Sequence, residues 1–404
     1  MQPIRRYGVA ILAIAAVPLM LATPSDGAAR PKNTSAFHPG SVLGSYLAGG
    51  LARGLNDTSN AVRFYRRALT TSPNNRRILE HAFLMEATEG NATAARTLAR
   101  RLIKVDKAHR MARLWLGVSA FKRKRYAAAE RHFAAASNGP IGELTSALAR
   151  AWTAAAAGRT TAAIKFTRFT RRANWARYYL SYHRALLADY AGRDKLAAES
   201  YKALFDLDSR TPRITMAYLR YAARRNDISL ANRILRKNSL SSNGQLHPAV
   251  EAIASAVRER QPVKRLIVSP SQGLAEVFYG LGDALTTEGG HSVGIRYLQM
   301  ALHLRPDFSH ALAGIANAYE NTKQYARAIE VYQRIDPASP LRLLIEIRRA
   351  SNLDALGRVD EAKAVLTGLL NVDPTKAVGT TQGDTKSAAA HGPARLADLR
   401  AAQV

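Results

Sequence analysis

Near the end of the chain Pro306, Pro340 and Pro374 stand thirty-four residues apart each time, and each closes a run with helical spacing of apolar residues. That period is the length of one helical hairpin. A lone hairpin cannot bury its apolar stripe, so copies of it must stack. The intervals share further positions. Phe278, Leu281, Gly282, Leu285, Gly294, Leu298 and Ala301 precede Pro306; Leu312, Ile315, Ala316, Tyr319, Ala328, Tyr332 and Ile335 precede Pro340; Ala350, Leu353, Ala362, Leu366 and Leu369 precede Pro374. Small residues let two helices cross closely, large ones fill the groove between successive pairs, and proline ends the second helix.

This pattern resembles the tetratricopeptide-repeat (TPR) family, with its bulky residue, Leu-Gly pair, aromatics, small residues and closing proline. The resemblance covers roughly residues 40–374. It weakens upstream, where Gly49, Ala61, Tyr65, Ala68 and Pro73 make one unit, Leu116, Gly117, Ala120, Ala129, Phe133 and Ala136 another, and Ala185, Ala188, Ala197, Tyr201 and Leu204 a third. The intervening segments 75–107, 142–172 and 213–237 read as degenerate helix pairs. The implied fold is all-α, a right-handed superhelical solenoid of stacked antiparallel helix pairs. Its expected divisions are a signal peptide over 1–29, degenerate basic TPR-like pairs over 37–237, an irregular insert with one helix over 238–273, three clear repeats over 274–375 and a disordered tail over 376–404. In this family the first helix of each pair lines the concave groove. The resemblance therefore implies partner-binding positions at Tyr46, Tyr182, Tyr279, Asp283, Asn317 and Glu320, each of which also reads as a packing residue.

The first residues add a destination. Arg5 and Arg6 precede an apolar run from Val9 to Leu21, followed by Gly27 and Ala29 in a small-x-small order, which reads as a cleavable secretory signal. The expected location is periplasmic. The alternative is an uncleaved anchor in the inner membrane, although the run falls short of the ~20 residues a spanning helix needs and Pro18 interrupts it. There is no cysteine, which excludes disulfides, thiolate metal sites and thiol nucleophiles.

The formal net charge of +29 is unevenly placed. Residues 276–375 hold ten Lys and Arg against twelve Asp and Glu, so residues 30–275 carry a net +28. Runs such as Arg63, Arg66-Arg67, Arg76-Arg77, Arg100-Arg101, 122–125, Arg171-Arg172 and Arg224-Arg225 supply it. Such a surface concentrates polyanions within a Debye length of about 8 Å. Arg66, Arg67, Arg76, Arg77, Arg100 and Arg101 are the candidates for an anionic polysaccharide or lipid; equally, they decorate solvated helix faces. No nucleic acid is expected, since export argues against it and aromatics able to stack bases are not interleaved there.

Chemistry is not legible. No His-Glu-x-x-His, Gly-x-Ser-x-Gly or Gly-rich phosphate loop occurs, and the Gly280-Leu281-Gly282 triplet falls at the close-packing position of the repeat. His303, Asp307 and His310 straddle Pro306 and read as surface decoration more readily than as a metal site. No catalytic residue, cofactor or metal is expected. The function expected is that of an exported scaffold or adaptor for other envelope proteins or peptides. The alternatives are a binder of anionic envelope polymer or lipid and an enzyme accessory subunit.

Overall fold

The computed structural model describes residues 41–168 and 174–370. Expectations for the signal peptide, Arg171-Arg172, Pro374 and the tail lie outside the described residues. Within them the chain is all α-helical, a superhelical solenoid of antiparallel pairs. In chain order the first six pairs are α1 (Val42–Gly54) with α2 (Thr58–Thr71), α3 (Arg76–Thr88) with α4 (Ala92–Val105), α5 (Arg110–Lys122) with α6 (Tyr126–Ala134), α7 (Gly139–Ala156) with α8 (Thr160–Phe166), α9 (Asn174–Tyr190) with α10 (Asp194–Leu207), and α11 (Pro212–Arg224) with α12 (Ile228–Ser241). A single helix, α13 (Pro248–Arg258), follows. Three more pairs complete the array: α14 (Pro270–Thr287) with α15 (His291–Leu304), α16 (Ser309–Asn321) with α17 (Tyr325–Tyr332), and α18 (Arg342–Ala355) with α19 (Val359–Leu370).

Local chemistry sets the helix ends. Side-chain oxygens of Ser41, Asp57, Asn75, Asp227 and Ser269 accept from backbone N–H groups of the first turn at α1, α2, α3, α12 and α14. Each such cap is worth about 1 kcal/mol. Between the two helices of every pair one residue takes the left-handed conformation, which lets the chain reverse. These residues are Asn56, Gly90, Lys124, Gly158, Gly192 and Asn226, spaced by thirty-four each time. Arg260, after α13, continues the series, and Gly289, Lys323 and Gly357 resume it in a new phase. The six upstream pairs are thus one uninterrupted array, although their signature side chains are diluted.

The phase break marks the architecture. Residues 261–269, where the second helix of a seventh pair would lie, are not helical. They are tied down instead: Ile267 is buried and Arg220 donates to the carbonyl of Lys264. Without that helix to carry the superhelix forward, α14 turns inward. It packs against α7 and α9, and α15 packs against α3 and α5. All four of these are first helices, the inner wall of the array. One apolar core consequently runs from Ala52 to Ile345, and a small cluster of Ile329 on α17 with Ala350, Leu353 and Ala362 of the last pair stands apart from it among the described residues.

Close approach at this seam depends on Gly273. A Cβ there would lie 2.3 Å from the Trp152 ring, whereas one at Gly280 would meet Tyr179 no nearer than 3.9 Å. Both glycines are on α14. Gly273→Ala should therefore lower stability by about 1–3 kcal/mol through overpacking, while Gly280→Ala should be neutral or stabilising by up to about 1 kcal/mol. Urea denaturation followed by far-ultraviolet circular dichroism measures both.

Candidate functional site

The groove of a solenoid is its usual working surface, and here the chain's own helices enter it. Glu276, on the first turns of α14, is 2% exposed and sits between two upstream helices. From α11, Arg213 engages both carboxylate oxygens, with Nε donating to Oε1 at 2.9 Å and a second, shorter bond to Oε2. From α9, the Tyr182 hydroxyl donates to the same Oε1 at 3.0 Å. Burial raises the Glu276 carboxyl, but Arg213's charge and hydrogen bonds outweigh that and hold it below its ordinary range. The Arg213 guanidinium also lies 5.8 Å from the Tyr279 ring and 5.5 Å from Phe308. Next to them His310 packs on Tyr279 at 5.9 Å, held neutral first by burial and then by the charge of Arg213.

Two further groups of contacts, one from α15 and one from α17, close the seam. On α15, Gln299 Nε2 donates to the carbonyl of Thr88 at 3.1 Å, Arg296 reaches the Thr88 hydroxyl at 3.4 Å, and the carbonyl of His303 accepts from Lys122 Nζ at 2.6 Å. On α17, Arg327 pairs with Glu89 at 2.6 Å and donates to the Thr58 hydroxyl at 3.3 Å. Apolar contacts fill the space between: Trp152 against Gly273, Phe133 against Phe278 at 6.5 Å, and Trp115 stacked on His303 at 6.2 Å. Trp152 also donates to Nδ1 of His183, whose imidazole burial pushes down to about 4, so it accepts as a neutral ring.

The sequence-derived partner positions fall into three settings. Tyr182, Tyr279 and Asp283 come together at the seam, where Tyr182 and Tyr279 contact the chain's own side chains and only part of Asp283 is accessible. Tyr46 lies apart, half-buried against Tyr65 and His81. Asn317 and Glu320 face the next pair: Arg348 donates to Asn317 at 3.3 Å, and Asn352 donates to Glu320 at 2.7 Å. Among the polyanion candidates, Arg66 is bound by the buried Glu86 at 2.5 Å, Arg76 by Asp106 at 2.9 Å, and Arg101 by the carbonyl of Pro73. Arg67, Arg77 and Arg100 are exposed. His303 and His310 pack in different surroundings, on Trp115 and Tyr279, and Asp307 lies beside Arg305 at 3.4 Å. Sequence reasoning did not single out Arg213, Glu276, Arg296 or Arg327. No periodic signal marks them, because each acts between units far apart in the chain.

Two carboxylates of the seam, Glu276 fully buried and Asp283 partly so, give opposite pH responses. Glu276 has a lowered folded pKa, so its stabilisation is present above the ordinary carboxylate range and is lost below it, as pH falls through the lowered folded value. For Asp283, burial alone raises the pKa to about 6, so the folded state takes up a proton first and its ionised form opposes folding above that pH. Glu276→Gln should cost about 3–5 kcal/mol at neutral pH by leaving Arg213 buried and unpaired. Asp283→Asn should gain about 2 kcal/mol at pH 7, with the difference from the parent vanishing towards pH 4. Urea midpoints across pH 4 to 7 decide both.

A family model described as tetratricopeptide repeat matches residues 86–140 and 279–342. No curated protein sequence matches the chain. Similar solved structures include the APC/C hetero-tetramer Cut9-Hcn1 (14% identity over 76% of this chain and 55% of that chain, TM-score 0.30). Others are Naa15/Naa10 bound to HypK-THB (15% identity, 85% and 59%, TM-score 0.33) and yeast Tom70 (10% identity, 83% and 93%, TM-score 0.24). The chain thus spans little more than half the length of the first two. The matched segments cover the end of α3 through α6 and most of α14 through α17, and the hairpin period of thirty-four joins them to the other pairs. The two matched segments are tetratricopeptide repeats, and the other helix pairs share their all-α hairpin geometry.

Proposed function

We propose that this protein is an exported scaffold that holds protein partners in the cell envelope, as an assembly, secretion or polysaccharide-export machine requires. Repeat hairpins support the scaffold part of this reading, because they offer extended surface and little else. The basic, apolar and small-residue order of residues 1–29 supports export.

One observation carries the choice of surface. The first helices α3, α5, α7 and α9 turn their inner walls to α14 and α15, whereas α18 and α19 continue beyond that seam with their own small core. Ile347 on α18 is 38% exposed, and Arg348 beside it bridges Asn317 and Glu320 of α16. An apolar side chain rimmed by a guanidinium, an amide and a carboxylate is the composition of a protein-contact patch. The working surface in this reading is the α16–α18 wall.

Two measurements test the two halves. Residues 1–40 fused to a phosphatase that is active only outside the cytoplasm should give activity and a product cut near Ala29; an inactive fusion would rule out export. Because the chain has no cysteine, single-cysteine variants carry a photocrosslinker at one place only. Ile347→Cys should form a discrete partner adduct in intact envelopes, and Leu240→Cys, 84% exposed on α12, should not. Equal labelling from both positions would reject the α16–α18 surface.

A further inference from the structure

Five cationic side chains gather where α15 meets the second and third hairpins. Arg96 and Arg100 lie one turn apart on α4, and Lys122, Arg123 and Arg125 occupy the α5–α6 turn, which approaches the start of α4 because α4 and α5 run antiparallel. α15 brings the end of its last turn to the same place, with Lys122 donating to the His303 carbonyl and His303 stacked on Trp115. Lys122, Arg100, Arg123 and Arg125 are exposed and Arg96 is half-buried.

No acid answers them. Among the described residues none of the five takes part in an ion pair. The carboxylates of the surrounding elements are committed elsewhere: Glu86 to Arg66, Glu89 to Arg327, and Glu130 to Arg150 and Arg159. Nε of Arg96 is buried with no hydrogen-bond partner. The crowding registers on neighbouring groups. Burial and then the charges of Arg96, Arg100 and Arg125 lower Arg123, and burial followed by Lys122, Arg123 and Arg96 pushes His303 down to about 4. At several other places the chain matches arginines to acids across its hairpins, as with Arg76 and Asp106 or Arg327 and Glu89; here it gathers five cations and supplies no acid.

We propose that Arg96, Arg100, Lys122, Arg123 and Arg125 form a binding site for a multiply charged phosphate group, assembled by the docking of α15 on the second and third hairpins. The compactness selects the ligand. Arg96 and Arg100 are separated by about 5–6 Å, the spacing of one helical turn, so the anion must present several charges within a few ångströms. A phosphate chain or phosphorylated headgroup does so, and its oxygens suit the guanidinium fork. Each carboxylate side chain of an acidic peptide brings one charge and a longer stretch of backbone.

Calorimetric titration of the full chain with inorganic tripolyphosphate tests this. Saturable binding at one site is expected, weakening as salt rises. Arg123→Gln with Arg125→Gln, both at exposed positions, should weaken it at least about tenfold, while Arg76→Gln with Arg77→Gln should change it less than about twofold. Sedimentation with phosphatidylcholine vesicles carrying phosphatidic acid separates the sources. Vesicle binding lost in the same variant identifies a lipid headgroup, and tripolyphosphate binding without it identifies a soluble phosphate. No saturable binding, equal weakening by both variant pairs, or hexaglutamate binding as tightly as tripolyphosphate would overturn the proposal.

Discussion

A helical hairpin can reverse only where one residue accepts left-handed backbone, and in this molecule the spacing of those residues governs everything built on them. From Asn56 to Arg260 the interval holds at thirty-four, and each pair lands on the one before it in the same orientation. From Arg260 to Gly289 it shortens by five residues, too few for a second helix between α13 and α14. The next pair then has no outer helix to stack upon. Its apolar surface finds the inner wall of the earlier pairs instead, and the superhelix fills its own groove.

That packing requires polar groups to enter the interior, and the structure satisfies them in concert. Glu276 is buried by α14, yet Arg213 and Tyr182 come from two different upstream helices to meet it. An ion pair so enclosed is a weak source of net stability but a strong discriminator of arrangement, because any other docking of α14 would strand a charge. Arg327 with Glu89 plays the same part at the far end of the seam. The excess of arginine upstream is partly explained by these duties, and the cations left over collect where no carboxylate reaches.

The C-terminal repeats were legible because their prolines and packing residues coincide in phase. Upstream the period was hidden in the turns, where the constraint acts on backbone conformation and is met by Asn, Gly, Lys or Arg alike. Reading Gly90, Gly158 and Gly192 together, rather than the prolines, would have exposed it. The family frame drew attention to Tyr182, Tyr279 and Asp283, but not to what they face. Tyr182 meets Glu276 across ninety-four residues of sequence, and local periodicity carries no information about such a pair. The polyanion-binding candidates suffered from the opposite problem: Arg66 and Arg76 look free in a one-dimensional reading, and only the fold shows their carboxylates.

An open repeat array melts piecewise, since each unit knows only its neighbours. Bonds such as Thr88 to Arg296 and Gln299, and Thr58 to Arg327, tie units more than two hundred positions apart. They couple α15 and α17 to the first hairpins, so these units should not open independently, and the non-local closure should slow folding relative to a linear stack of equal length. Where the hairpin interval shortens, the stack turns back on itself, and the later hairpins brace the earlier ones.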